Sequence, residues 1–346
     1  MILNLFHAEV NMKYLALLIA VLFIGCSSKE VTHSSPILLK PTKTITKLDS
    51  IFFTNVSLFT DEDRIYILNQ NPAFIAATDK NFNLLWIRNE EGNGPSDLYF
   101  PEQVKAFKEK LFVLDHGNQS LKQFEKTSGD FISSLKIPEP VQRFRFDVTQ
   151  EEHALFTVFN AGNNENVIKV NRIGEVIKRF GTTFPERQGP NRQMKYLQLD
   201  ENGNLILIGA SLPYVELLDH KGESINRFDL SKYEPIKRAL DSLEVNVGEA
   251  SRNTIPTIIT DAQYKEGKLY VSFTDRIGLD RGKARNLLVI RLSERDCELE
   301  AIYKFQTGTE DDHFNPKYFH VDAIDKKLYV QGLVTRYIYV FDLPET

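Results

Sequence analysis

From about residue 50 onward the chain restates one arrangement of apolar and polar positions: a short apolar run, a polar gap, an alternating run, then a turn rich in Asp, Asn or Gly. The units begin with "RIYILNQNPAFIAATDKNFNLLWI" at Arg64 and "KLFVLDHGNQSLKQFEKTSGDFISSL" at Lys110, and continue from His153, Asn204, Lys268 and Lys327. Their second residues, Ile65, Leu111, Ala154, Leu205, Leu269 and Leu328, lie 46, 43, 51, 64 and 59 positions apart. Short strands at that period predict propeller blades. Helical repeats of similar length would place apolar residues every third and fourth position over ten or more residues, and "FIAAT", "VIKV" and "YVELL" are too short for that.

Ahead of each unit stands one more strand: "VSLFT", "EQVKAF", "QRFRFDV", "KYLQLD", "TIITDAQY" and "KYFHVDAI". Each blade therefore has four antiparallel strands counted outward from the axis. Alternation in the innermost strand predicts one face on a water-filled channel and one packed between sheets. That reading brings Gln103, Lys105, Arg143, Arg145, Lys195, Gln198, Lys317 and His320 to the channel as candidate ligand-binding residues. The set is cationic and suits an anionic small molecule, although polar walls also simply hold water.

The last unit supplies an inner strand and two more, ending at Leu343. Residues 37–48, "ILLKPTKTITKL", read as the strand that completes blade six, since an unpaired sheet edge would otherwise lie open. The expected fold is all-β: a six-bladed β-propeller of four-stranded antiparallel blades, its ring closed by an N-terminal strand. Two connectors exceed simple returns, "GTTFPERQGPNRQM" from Gly181 and "SKYEPIKRALDSLEVNVGEASRN" from Ser231. In the second, Ile236, Ala239, Leu240 and Leu243 share one helical face and predict a helical insertion between blades four and five. It either rises at the channel mouth, where loops carry function, or covers the outer edges of its blades.

The stretch "GNGPSDLYFP", Gly92–Pro101, is the return from blade one to blade two. A phosphate-gripping loop would be followed by a helix N-terminus, and here a strand follows. This stretch with what comes after it, "EQVKAFKEKLFVLDHGNQSLKQFEKTSGDFI", resembles an NHL-type repeat. The whole of residues 36–346 resembles the TolB-like six-bladed propeller lipoproteins of the Bacteroides group. The resemblance implies architecture and address and little chemistry.

Lys13 and the apolar run "YLALLIAVLFIG", Tyr14–Gly25, form a signal-peptide pattern of about a dozen apolar residues, where a spanning helix needs roughly 20. "LFIGC" resembles the lipobox of bacterial lipoproteins, with Phe23 where that pattern prefers Leu, and implies lipidation of Cys26. The expected organisation is a signal peptide over 1–26, with 1–11 ahead of a more natural start at Met12, a flexible tether over 27–36 and the propeller over 37–346. Cys297 is the remaining cysteine, so no disulfide is expected if Cys26 carries lipid.

Net charge is −5 and scattered, which argues against nucleic acid as a partner. Asp147, Asp200, Asp261 and Asp322 recur near the ends of inner strands, two of them in blades with Gly203 or Gly267 at the following turn, and suit turn formation. A metal centre would need such groups to converge, and no G-x-S-x-G elbow is present. The expected protein is a lipid-anchored, exported propeller of the bacterial cell envelope, monomeric and without cofactor or catalysis. It binds an anionic small molecule or an envelope protein at its channel mouth. The alternative is a metal-dependent hydrolase, lactonase or lyase centred in the channel.

Overall fold

Each repeat folds as one antiparallel sheet whose strands are consecutive in the chain. The computed structural model describes residues 35–158, 165–181, 194–246, 257–274, 286–306, 314–332 and 334–344. The signal, lipobox and Cys26 lie outside the described residues, as do the side chains at 142–145, 242–246 and 314–317. Among the described residues no helix is long and apolar enough to cross a membrane.

The chain opens with β1 (Ile37–Leu39), β2 (Lys43–Ile45) and the small hairpin β3 (Lys47–Leu48) and β4 (Ile51–Phe52). Blade one follows as β5 (Val56–Thr60), β6 (Arg64–Gln70), β7 (Ala73–Asp79) and β8 (Leu84–Arg88). Blade two is β9 (Pro101–Phe107), β10 (Lys110–Asp115), β11 (Ser120–Glu125) and β12 (Phe131–Lys136). Blade three is β13 (Val141–Val148), β14 (Ala154–Val158), β15 (Val167–Val170) and β16 (Val176–Phe180). Blade four is β17 (Lys195–Leu199), β18 (Leu205–Gly209), β19 (Tyr214–Leu218) and β20 (Ser224–Asp229). Blade five is β21 (Ile259–Lys265), β22 (Lys268–Phe273), β23 (Asn286–Leu292) and β24 (Cys297–Phe305). Blade six is β25 (Phe314–Asp322), β26 (Lys327–Gly332) and β27 (Ile338–Asp342).

Closure takes two strands. β2 pairs antiparallel with β27, Lys43 opposite Val340 and Ile45 opposite Ile338, and becomes the fourth strand of blade six. β1 pairs parallel with β24, Ile37 opposite Tyr303, and gives blade five a fifth strand. The segment read as one closing strand therefore straddles two blades.

The core consists of slabs between neighbouring blades. Along β10, Leu111 and Val113 pack on blade one with Tyr66 and Leu68, while Phe112 and Leu114 pack on blade three with Phe146 and Phe156. Both faces of a radial blade look at neighbours, so its middle strands are buried at nearly every position. Full burial of each such Leu or Phe contributes roughly 1.5–3 kcal/mol. Only the inner edge of a blade borders the axis.

The helical insertion is α1 (Glu234–Asn246), with Pro235 in its first turn, where the missing N–H costs nothing. Ile236 and Ala239 are buried in the slab between blades four and five, and Leu240 packs against it. Of the two readings of this helix, the described part is a cover over its blades.

Candidate functional site: the connection-bearing face

The polar residues of the inner strands act first as bridges. An innermost strand offers half of its backbone groups to the second strand and leaves the others in want of partners. Side chains supply them at all of the blade junctions. Val104 N–H donates to Ser57 Oγ at 3.4 Å, Phe146 N–H to Gln103 Oε1 at 2.8 Å, and Leu199 N–H to Asp147 Oδ2 at 2.9 Å. Tyr196 O–H donates to Ile259 O at 3.2 Å, and Gln263 accepts from Val321 N–H at 3.1 Å while donating to Phe319 O. Thr60 N–H donates to His320 Nε2 at 3.1 Å and Val56 N–H to Gln331 Oε1 at 3.1 Å, which joins blade six to blade one.

These bonds locate the residues expected at the channel. Gln103, Lys195, Gln198 and His320 are buried. Lys105 is half-buried with its ammonium on the Asp147 carboxylate. Gln198 donates to Leu197 O at 2.9 Å. Lys195 has no exposed surface, and its Nζ lies 3.0 Å from Glu216 Oε2 on β19. Burial pulls the Lys195 ammonium down, against its attraction to Glu216. The side chains of Arg143, Arg145 and Lys317 lie outside the described residues. Of the described members of the set, Gln103, Lys105 and His320 thus bond the adjoining blade, while Lys195 and Gln198 bond groups of their own blade.

Asp200 and Asp322 hold turns as expected: Asp200 Oδ1 accepts from Asn202 and Asn204 N–H, and Asp322 Oδ1 from Ile324 and Asp325 N–H. Asp147 reaches sideways to blade four, and Asp261 stands near the start of β21 rather than its end. Among the described residues no three His, Cys, Asp or Glu side chains are grouped to hold a metal ion. Cys297 is buried, and burial raises its thiol pKa, so it is no activated nucleophile.

The two ends of the propeller differ. Turns from first to second strands and from third to fourth strands share one end and are short, such as 80–83, 108–109 and 266–267. Connections from second to third strands and from blade to blade leave the other end. They include the intervals 159–166, 181–194, 230–258, 274–285 and 306–313 between described strands. On the short-turn end, a groove of about 480 Å³ is lined by Lys43, Lys80 and Lys327 together with Phe82 and Tyr329. Its charges are compensated, since Lys80 lies 2.8 and 2.6 Å from Asp322 and Asp325 and Lys327 pairs with Asp342.

On the connection-bearing end, Gly92–Pro101 is clamped from below by a buried ion pair. Lys122 Nζ lies 3.1 Å from Asp115 Oδ2 and donates to the carbonyls of Gly94 and Asp97. Asp115 Oδ1 accepts from Tyr99 N–H at 3.0 Å, and Asn118 donates to Asp115 and to Gly92 O. Burial pushes the Asp115 carboxyl up, opposed by its hydrogen bonds from Asn118, Tyr99 and Lys122. Gly117 is required: its N–H donates to Tyr99 O at 2.8 Å, and a Cβ there would stand 2.3 Å from that oxygen. The clamp presents Tyr99 and Phe100 to solvent, their rings edge to face at 4.9 Å.

Two residues beyond Phe100, at Glu102, begins a chain of half-exposed polar groups across three blades. Gln70 Nε2 donates to Glu102 Oε1 at 3.1 Å, Asn55 Nδ2 to Gln70 Oε1 at 2.7 Å, and Arg336 Nη1 to Asn55 Oδ1 at 3.4 Å. Gln331, buried beneath, donates to Thr54 O and Arg336 O. Phe52 and Val334 are exposed on the same end. Sequence reasoning missed this group. The available signal was the pair of aromatics in "GNGPSDLYFP" directly before the Glu102 and Gln103 of an inner strand.

The chain matches no protein-family model. Over 100 residues it is 28% identical to the mouse NHL repeat-containing protein 3; the match covers 27% of this chain and 29% of that relative, less than a third of either. In fold it is similar to a member of the DUF4221 family from Bacteroides vulgatus, with a TM-score of 0.57 at 10% identity over 88% of this chain and 97% of that one. A Bacteroides fragilis protein whose name describes it as exported gives 0.56 at 11% identity, over 86% and 88%. A catalytically inactive virginiamycin B lyase of Staphylococcus aureus, solved with quinupristin, gives 0.51 at 10% identity over 87% and 99%. At such identities the likeness is one of fold alone. Repeat and fold together make this chain a six-bladed β-propeller.

Proposed function

We propose that this protein is an exported binding protein, held in the bacterial cell envelope by lipid on Cys26, that takes its ligand or partner on the connection-bearing face. The observation that carries the reading is the asymmetry of the two ends: one has short turns throughout, and the other carries the long connections, the solvent-facing aromatics and the polar chain. Loops raised on a rigid scaffold are where such folds bind. The "LFIGC" stretch and the fold likeness to a protein named as exported support the address.

Cys26→Ser is expected to leave the chain unlipidated and to release it from the membrane fraction or stall its maturation, since bacterial lipoprotein anchoring depends on its acyl chains. Processing and fractionation like the parent would remove the anchor from the proposal. The face is tested by photocrosslinking in intact cells. Benzoylphenylalanine at Val334, 66% exposed on the connection-bearing end, is expected to give adducts heavier than the protein. The same residue at Ile173 or Ile324, 77% and 59% exposed on the short-turn end, is expected to give none. Equal labelling at the three positions sinks the face assignment.

A further inference from the structure

We infer that the connection-bearing face over blades six, one and two is a site for a neutral saccharide chain. The inference deepens the binding reading above and rests on it. The polar chain consists of one carboxylate, one guanidinium and two carboxamides, Glu102, Arg336, Gln70 and Asn55. Its formal charge cancels, which gives neither an anion nor a cation a net attraction. A carboxamide carries two N–H donors and an acceptor oxygen, and the bond from Gln70 Nε2 to Glu102 uses one of those two donors. Paired donors and acceptors on half-exposed amides match neighbouring hydroxyls, each of which both donates and accepts.

The second component is apolar. Phe100 is 47% and Tyr99 40% exposed, two and three residues before Glu102. A sugar ring has faces of C–H groups edged by hydroxyls, so a flat aromatic beside a row of amides meets both halves of its surface. An apolar peptide would instead call for contiguous apolar area, and here amides and charges interrupt it.

The site is also held in shape before any ligand arrives. Phe100 has φ +53°, a left-handed conformation that a bulky side chain rarely adopts. It is fixed there by the Asp115 and Gly117 bonds to Tyr99. Arg336, at φ +62°, is fixed by Gln331, which bonds its carbonyl and that of Thr54. Backbone held in a disfavoured region by buried groups points to a geometry that is needed, and a preformed site spends less on ordering when it binds.

The test is native affinity electrophoresis of the full-length protein in gels containing soluble starch, yeast mannan, mixed-linkage β-glucan or, as an anionic control, alginate. The expected result is retardation by at least one neutral polysaccharide, equal in low salt and in about 0.5 M NaCl, where contacts between exposed charges are screened. Phe100→Ala and Gln70→Ala are expected to weaken it about tenfold or more, as truncation of a binding hot spot does, with unchanged melting temperature. No retardation by any neutral polysaccharide overturns the inference. So does retardation by alginate alone, or retardation that Phe100→Ala leaves intact. Crosslinking from Val334 that persists after such a result keeps the binding face and removes the saccharide.

Discussion

A chain that begins at Phe52 is expected to melt far below one that begins at Ser27, and to aggregate where the longer chain is monomeric. Removing the segment strips β1 from β24 and β2 from β27, leaving the outer edges of blades five and six unpaired. It also deletes Leu39, Ile45 and Leu48, all buried in the slabs on either side of blade six. At roughly 1.5–3 kcal/mol each, these three side chains account for about 5–9 kcal/mol. A domain's entire stability is of the order of 5–15 kcal/mol. The bared edge along "YIYVFDL" is a template for pairing with another chain. Thermal melts and size-exclusion chromatography of the two chains decide the matter. Equal melting temperatures would show that the ring closes without its N-terminal strands.

Glu216→Leu is expected to cost about 3–5 kcal/mol, because it leaves the Lys195 ammonium buried without its carboxylate. Arg227, opposite Glu216 on β20, adds a second positive charge to the same neighbourhood. Pairing the change with Lys195→Met is expected to recover most of the loss, as a well-packed apolar pair often equals a buried ion pair. The defect should depend on pH in a fixed direction. Burial already sets the folded-state Lys195 pKa below its ordinary value, and losing Glu216 lowers it further. Between that lowered value and the unfolded value of about 10.4 the unfolded chain binds more protons, so stability rises with pH across the window. Urea denaturation at pH 7 and at pH 9.5 should therefore show the deficit of Glu216→Leu shrinking at the higher pH. A constant or growing deficit would mean that losing Glu216 does not lower the Lys195 pKa into this window.

The same lysine shows why the fold was legible in the sequence and the inner strands were not. A blade is built from strands that follow one another, so its apolar runs and turns appear in order and at a regular period. What covers each face of a strand is decided by the neighbouring blade, whose residues stand about 45 positions away, close to the repeat length. Lys195 therefore reads as a lysine on a wet surface, and its partner Glu216 lies two strands further out in the same sheet. Gln103 and His320 escaped for a related reason. Their partners are backbone N–H groups of Phe146 and Thr60, which leave no mark in a sequence. The α1 insertion was visible through its apolar stripe, while its role as a cover became evident only with Ile236 and Ala239 placed between two blades. Tyr99 and Phe100 looked like part of a connector because their exposure is set by Asp115 and Lys122, strand residues of the following blade.

The two-strand closure also sets an order of events during synthesis. Thr42 bonds Val340, 298 positions along the chain. A strand made among the first must wait without a partner until the last blade exists, and contacts of such sequence separation are slow to form. Earlier blades can assemble in sequence as they emerge, each on the one before, yet the ring stays open through all of that time. The edges most prone to pair with a neighbouring chain are those that wait longest. The interval between making β2 and making β27, rather than the stability of any single blade, is the period in which this protein is most exposed to misassembly.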